Sequence, residues 1–427
     1  MAMSLAFHIV FACVGVAMPV LMVIAEILWL RTGQAVYLDL TRAWAKGTAV
    51  LFAVGAVSGT VLSFELGLLF PGFMRHAGAV IGMPFSLEGF AFFTEAIFLG
   101  IYLYGWRRIR PWLHVLSGIL VAVSGLLSAI FVVIANAWMN APQGFRVDEA
   151  GRFVDIDPIA AMRTPFALHE VLHMVLAAYL ATGIAVAAIH AFILLRRTLD
   201  ENARTFHRSA LTLAVALSIP CALLQPFVGH LAAHEVAKHQ PLKLAAMEGQ
   251  FSTEAYAPLR IGGIPDVEAR VTRYAIEIPG GLSFLAFNDP SAVVSGLEEF
   301  PRADWPHSIV HYSFQVMVGA GVVLALFAVW AAVHWIRRRT FPESRRFLRA
   351  TVFAGPLGFL AVETGWIVTE VGRQPWIVYG VLRTSETVTP MPGLVVPFVM
   401  FTLVYLGLAA SVVVILLRQI RRSPGVT

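Results

Sequence analysis

Apolar positions in this chain come in long unbroken runs, not in short alternations. Nine stretches, at about 5–30, 47–70, 86–106, 112–139, 165–195, 208–230, 308–336, 349–371 and 393–417, are dominated by Leu, Val, Ala, Ile and Phe. A helix needs roughly 20 such residues to cross the hydrocarbon core of a bilayer. The pattern predicts an all-α integral membrane protein of about nine transmembrane helices. The connections are short and polar, with one exception. Residues 231–307 form a segment of about 77 residues that carries turn formers such as Gly262, Gly263, Pro265, Gly280 and Gly281. Ordered connections of that length are usually functional, and Leu242–Glu248 within it reads as a short helix. The expected organisation is one membrane domain: spans one to six over 1–230, the long segment 231–307, and spans seven to nine with a tail over 308–427.

Charge then orients the spans. Only 13% of the 427 residues are Asp, Glu, Lys or Arg, while 58% are hydrophobic, so most of the surface is not made for water. One set of connections holds Arg31, Arg42 and Lys46, then Arg107, Arg108 and Arg110, then Arg196, Arg197, Arg204 and Arg208. Arg337 to Arg339, Arg345, Arg346 and Arg349 follow, and Arg418, Arg421 and Arg422 close the set. The short connections of the other set hold Arg75, Arg146, Arg152, Arg163, Arg373 and Arg383. The positive-inside rule places the first set in the cytoplasm. The N-terminus is then outside, the C-terminus cytoplasmic and the long segment outside. Met1–Leu30 is apolar for too long, and lacks the basic start, to read as a cleaved signal peptide. The net charge of +5 is dispersed without aromatic interleaving, so no nucleic acid is expected as a partner. Cys13 and Cys221 lie in apolar runs, with no spacing for a zinc site or a disulfide framework.

Ionisable residues inside such spans cost several kcal/mol, about 2.5 to 3.5 on insertion scales, and each is a functional candidate. These are His8, Glu65, Glu88, Glu95, His169, Glu170, His173, His190, Glu363 and Glu370. Glu88 and Glu95 stand seven apart on one helix face, as a proton route requires. His169-Glu170-Val-Leu-His173 spells H-E-x-x-H, the zinc-protease pattern, but no later span supplies an aspartate as third ligand. His173 in the fifth span and Met317 in the seventh are of the types that ligate haem iron. Glu370-Val-Gly-Arg373-Gln-Pro-Trp376 closes the eighth span with an acid and a guanidinium suited to a carboxylate. His114, His190, His207 and His334 lie toward the arginine-rich side and are expected to meet solvent or headgroups. Glu65 reads as either structural or part of a proton path.

Gly372-Arg-Gln-Pro-Trp376, preceded by Glu363-Thr-Gly-Trp366, resembles the signature of subunit I of cytochrome bd-type quinol oxidases. The resemblance runs in order along the chain. It takes in Phe7-His-Ile-Val-Phe11, Leu87-Glu-Gly-Phe with Glu95, Ala135-Asn-Ala-Trp-Met-Asn-Ala-Pro142, Leu172-His173, Phe314-Gln-Val-Met317, Lys243-Leu-Ala-Ala-Met-Glu248 and Gly263-Ile-Pro-Asp266. It implies a terminal respiratory oxidase that takes electrons from quinol (ubiquinol or menaquinol) at the outer face and reduces O2 to water with cytoplasmic protons. A proton motive force would result without pumping. The implied cofactors are two haems b and one haem d, or a third haem b in its place. His173 and Met317 would be axial ligands of a low-spin haem b. His8 and Glu370 would each serve one haem of a second pair, which Glu95 approaches. Arg373 would hold propionates, Trp366 would pack between haems, and Ser128 and Asn136 would be polar residues near the proton route through Glu88 and Glu95. Lys243 and Glu248 would bind quinol in the segment 231–307, here of the short-loop class. Gln315 stands where some members have a basic residue. The implied partners are a second large subunit, small single-span subunits and membrane lipid, and the implied place is the bacterial cytoplasmic membrane. The rival readings are an intramembrane zinc protease built on His169, Glu170 and His173, and a transporter or anchor without a cofactor.

Overall fold

The computed structural model describes residues 1–196, 198–421 and 424; Arg197 and Arg422, which the charge argument uses, lie outside them. Among the described residues, nine helices are long and apolar enough to cross a membrane. In chain order the helices are α1 (Ala2–Thr32), α2 (Ala35–Leu69), α3 (Pro71–Tyr104), α4 (Pro111–Asn140), the short α5 (Pro158–Met162), α6 (Ala167–Arg196) and α7 (Glu201–His239). Two short helices, α8 (Pro241–Glu248) and α9 (Gly281–Phe287), precede α10 (Ile309–Arg338), α11 (Arg345–Val371) and α12 (Val395–Arg421). Local chemistry marks the ends. Gly33 stops α1 at φ 69°, a left-handed conformation open to glycine. Proline opens α3 and α4, where its missing N–H is no loss. Asp200 caps α7 through the Ala203 amide.

The helices overrun the hydrophobic runs that foretold them. The second and third begin at Ala35 and Pro71 rather than near 47 and 86. Arg42, Lys46 and Arg75 are therefore helical residues, not connection residues. A helix continues past the apolar core wherever its backbone bonds are made internally, so hydropathy underestimates its length. The sixth long helix likewise runs on to His239, and the segment between helices starts at Gln240. That segment is not all helix. Three short antiparallel ladders cross it, pairing Glu254–Ala255 with Val293–Val294, Leu259–Ile261 with Ile276–Ile278, and Ile264–Asp266 with Val271–Arg273.

Small residues let the helices close on one another, as lipid supplies little hydrophobic drive between spans. A Cβ on Gly358 of α11 would stand 2.5 Å from Ala181 Cα of α6, and one on Gly355 2.5 Å from Ala188 Cβ. A Cβ on Gly118 of α4 would meet the Tyr102 ring of α3 at 2.7 Å. Helices α6, α7, α10 and α11 pack in a closed ring, each against the next. The outward side chains Phe64, Phe90, Phe93, Val396, Leu403 and Leu406 are exposed, as expected for helices that face lipid or another subunit.

Candidate haem and quinol site

His173 of α6 and Met317 of α10 stand on alternate helices of the four-helix ring. Each lies against a glycine of a neighbouring helix. A Cβ on Gly229 of α7 would lie 3.6 Å from the His173 ring, and one on Gly365 of α11 would lie 3.1 Å from Met317 Sδ. Gln225 of α7 donates to the His173 carbonyl at 3.1 Å. The His173 Nδ1 is buried with no partner. Trp366 packs at the margin of an apolar cluster that includes Ile9 and Cys13 of α1 and Ala178 and Ala181 of α6.

Above this ring, at the end where the long segment sits, a polar network is organised by Asn140, the last residue of α4, which is wholly buried. Its Oδ1 accepts from Lys243 Nζ at 2.8 Å, and its carbonyl accepts from Gln240 Nε2 at 2.6 Å. Its Nδ2 donates to Glu170 at 3.1 Å and to Asn136 Oδ1 at 3.0 Å. Asn136 in turn donates to Glu370, whose other oxygen accepts from Arg373 Nη2 at 2.7 Å. Arg373 is 2% exposed, and its Nε and Nη1 have no partner. A buried guanidinium with two unpaired N–H groups suits a carboxylate ligand. The sequence reading singled out Lys243, Arg373, Glu370 and Asn136, gave Asn140 no role beyond its place in the quoted motif, missed Gln240, and had Glu170 as an intramembrane candidate and as a protease base. Asn140 lies one turn beyond Asn136, and that spacing was the available signal.

Lys243 and Glu248 occupy the two ends of α8, a helix buried from Leu242 onward. Burial lowers the Lys243 ammonium, helped by the Arg373 charge, while Glu170 and Glu370 oppose the shift. Burial raises the Glu248 carboxyl to about 8, with Arg260 pulling the other way. Its Oε2 has no partner. Beyond it, His311 Nδ1 lies 2.9 Å from the Met247 carbonyl. Gln315 clamps the segment, donating to the Arg260 carbonyl at 3.0 Å and accepting from the Gly262 amide at 2.9 Å. Its amide is therefore engaged with backbone.

The carboxylates of α3 face α4. Ser128 donates to Glu88 at 3.1 Å, and Glu95, 6% exposed, packs its carboxyl against Gly125, where a Cβ would lie 3.1 Å away. Both contacts fall on one side of α4, so the seven-residue spacing does place the two acids along one interface. His8 of α1 pairs its Nδ1 with Ser58 of α2 at 2.9 Å. Glu65 accepts from Ser4 at 2.8 Å and lies 3.4 Å from the terminal amine, a structural tie between α2 and α1.

Three histidines expected at solvent are buried. His114 Nδ1 lies 2.6 Å from Glu26 Oε1, and Tyr102 donates to the other Glu26 oxygen at 2.7 Å. His190 and His207 share an Nδ1–Nδ1 contact of 2.8 Å. Helix–helix packing covers positions that hydropathy leaves at a membrane edge. Glu26, at 1% exposure, is an intramembrane acid the sequence reading overlooked, although the cost argument applies to it equally. Among the described residues, no three metal-binding side chains converge, so none of them adds a third ligand to His169 and His173.

Nine long apolar helices, with a half-buried imidazole and thioether on facing helices of a four-helix ring and a buried, incompletely paired guanidinium at one end, describe a multi-pass membrane protein. The family model for cytochrome bd terminal oxidase subunit I matches residues 1–424. The chain is 38% identical over 425 residues to the putative cytochrome bd menaquinol oxidase subunit I of Bacillus subtilis (strain 168), covering 99% of this chain and 95% of that one. It is 30% identical to the cytochrome bd ubiquinol oxidase subunit 1 of the same organism, covering 98% and 91%. The solved structure of bd oxidase from Geobacillus thermodenitrificans superposes with a TM-score of 0.91 at 39% identity, covering 99% of this chain and 97% of that one. The chain belongs to the cytochrome bd terminal oxidase subunit I family. It is a membrane subunit of a haem-bearing terminal quinol oxidase, an oxidoreductase that works with quinol, O2 and a subunit II.

The residues present fit haem. The unpartnered His173 Nδ1, the glycines against His173 and Met317, and the orphaned N–H groups of Arg373 would offer an imidazole and a thioether to iron and an anion partner to a propionate.

Proposed function

We propose that this subunit oxidises quinol, ubiquinol or menaquinol, at the end of the bundle that carries the segment from Gln240, and that O2 is reduced to water with protons from the opposite, arginine-rich side. The observation that carries the reading is the Asn140 network. It joins Lys243 of the segment to Glu370 and Arg373 at the end of α11 through a few hydrogen bonds. Quinol chemistry and haem chemistry thus share one buried polar junction.

In this reading His173 and Met317 would hold a low-spin haem b. His8 and Glu370 would each serve one haem of a second pair, a haem b with a haem d or a further haem b. The sequence suggested Glu95 as the acid that approaches this pair, but Glu88 lies nearer, since its partner Ser128 is closer along α4 to Asn136, which binds Glu370, than is Gly125 against Glu95. Arg373 holds propionates with the N–H groups it does not give to Glu370, and Trp366 packs between haems. When bound, the haems supply one-electron transfer and an iron position for O2. The protein's own work is to bind, orient and move protons. Lys243 donates to a quinol oxygen, and Glu248 accepts a quinol proton once its carboxyl is ionised. Glu88 and Glu95 carry protons along the α3–α4 interface. The arginine distribution favours that interface's arginine-rich end as cytoplasmic and the long segment as outer. Quinol protons released outside and water protons taken from inside then separate charge without a pump. The exposed apolar faces leave room for subunit II and small single-span subunits in the bacterial cytoplasmic membrane. The test is a pyridine-haemochrome and a reduced-minus-oxidised spectrum of the purified complex. Haem b bands are expected, with or without haem d, and a haem-free complex refutes the reading.

A further inference from the structure

One buried group near this junction has no role in the reading above. His169, in the first turn of α6, is 5% exposed, and both its Nδ1 and Nε2 are buried without a partner. A neutral imidazole carries one N–H donor and one lone pair. Leaving both unmet away from water costs free energy comparable to losing two hydrogen bonds. Its protein surroundings do not supply them. Phe166 packs against it with the rings tilted 60° and 4.8 Å between centroids, and His239 is turned edge-on to that same Phe166. The nearby charged or titratable groups are Glu235, His173, Lys243 and His239. Glu235 is engaged by Lys238 at 3.2 Å and by His239 at 3.3 Å. Lys243 is bound to Asn140. His169 therefore sits at the seam of α6, α7 and α8, beside the lysine assigned to quinol, with two open hydrogen-bonding atoms of opposite character.

We propose that His169 is a hydrogen-bond partner of the quinol head group. A quinol hydroxyl both accepts and donates, so it satisfies whichever imidazole nitrogen faces it; a carboxylate, such as a propionate, can only accept. The proposal rests on Lys243 and Glu248 being quinol residues, and it adds a third protein contact, from a membrane helix rather than from the segment.

The test compares H169L and H169Q with K243M and E248Q in the purified complex. Turnover is followed with duroquinol, and equilibrium binding of a quinolone N-oxide inhibitor by quenching of its fluorescence. H169L is expected to raise the KM for duroquinol and the inhibitor Kd by about tenfold, one lost hydrogen bond. The haem content and reduced-minus-oxidised spectrum should be unchanged, and H169Q should restore part of the affinity. Unchanged KM and Kd in H169L overturn the proposal. A shifted or diminished haem spectrum at normal quinol affinity also overturns it, since the imidazole would then serve haem. If K243M and E248Q leave quinol affinity intact as well, the quinol-site reading itself falls. If they weaken it while H169L does not, only the role of His169 falls. If H169L does not assemble, H169F carries the comparison: wild-type affinity in a ring that has neither nitrogen overturns the proposal, and a severalfold loss supports it.

Discussion

Single side chains carry opposite burdens in this protein. His173 and Met317 are expected to act as a pair from alternate helices of the ring, so His173→Ala or Met317→Leu should each remove the low-spin haem band and stop quinol oxidation. Normal band amplitude and turnover in either variant would refute the pairing. Glu248 gives a pH signature. Its carboxyl is raised to about 8 from an ordinary 4.5 by burial, so it holds its proton at neutral pH and accepts a quinol proton only when ionised. Quinol oxidation should climb with pH toward about 8, and Glu248→Gln should flatten that limb and slow turnover about tenfold with all haem bands retained. The sign for stability is the reverse. The folded protein binds this proton more tightly than the unfolded chain does, so burial of Glu248 becomes more costly as pH rises from 4.5 through 8. Thermal unfolding of wild type and Glu248→Gln, compared across that range, measures the difference.

The helices matter through how closely they approach. Gly358 leaves no room for a Cβ against the Ala181 backbone, so Gly358→Val should push α11 off α6. Overpacking of this kind costs about 1–3 kcal/mol, and here it also separates the helix bearing Gly365, Trp366 and Glu370 from the one bearing His173. Lower haem retention and a lower Tm are expected. Gly319→Ala is the control, because nothing lies within 4 Å of its Cβ position, and it should be silent in both measurements. The short α8 shows the same logic in the outer segment. A seven-residue stretch that carries a Lys and a Glu is nonetheless buried along its whole length from Leu242 to Glu248, because Asn140 and the cluster around Val236, Phe251 and Val310 receive it.

For the whole molecule, haem and zinc readings make different demands on metal analysis. The purified complex should hold iron in amounts matching its haem and no stoichiometric zinc; the reverse result would restore the H-E-x-x-H reading of His169, Glu170 and His173. Sequence alone determined the nine spans and the long polar segment, because apolar length and the cost of burying charge are one-dimensional properties. It also marked His8, Glu88, Glu95, His173 and Glu370, since an ionisable residue inside a span stands out against its neighbours; Met317, one of 13 methionines, was marked only by the resemblance. It could not determine which of these residues meet. Asn140 becomes a hub only when α4, α6 and α8 converge, and Glu26 and His114, 88 residues apart, form a pair only when α1 packs on α4. Gln315 turns to the backbone of the segment only because that segment folds back on α10. The burial of His190 and His207 at an edge expected to be wet was also decided by packing. The physical reason is common to all of them: hydropathy reports what a residue costs in the membrane, and only tertiary contact supplies the partner that offsets the cost.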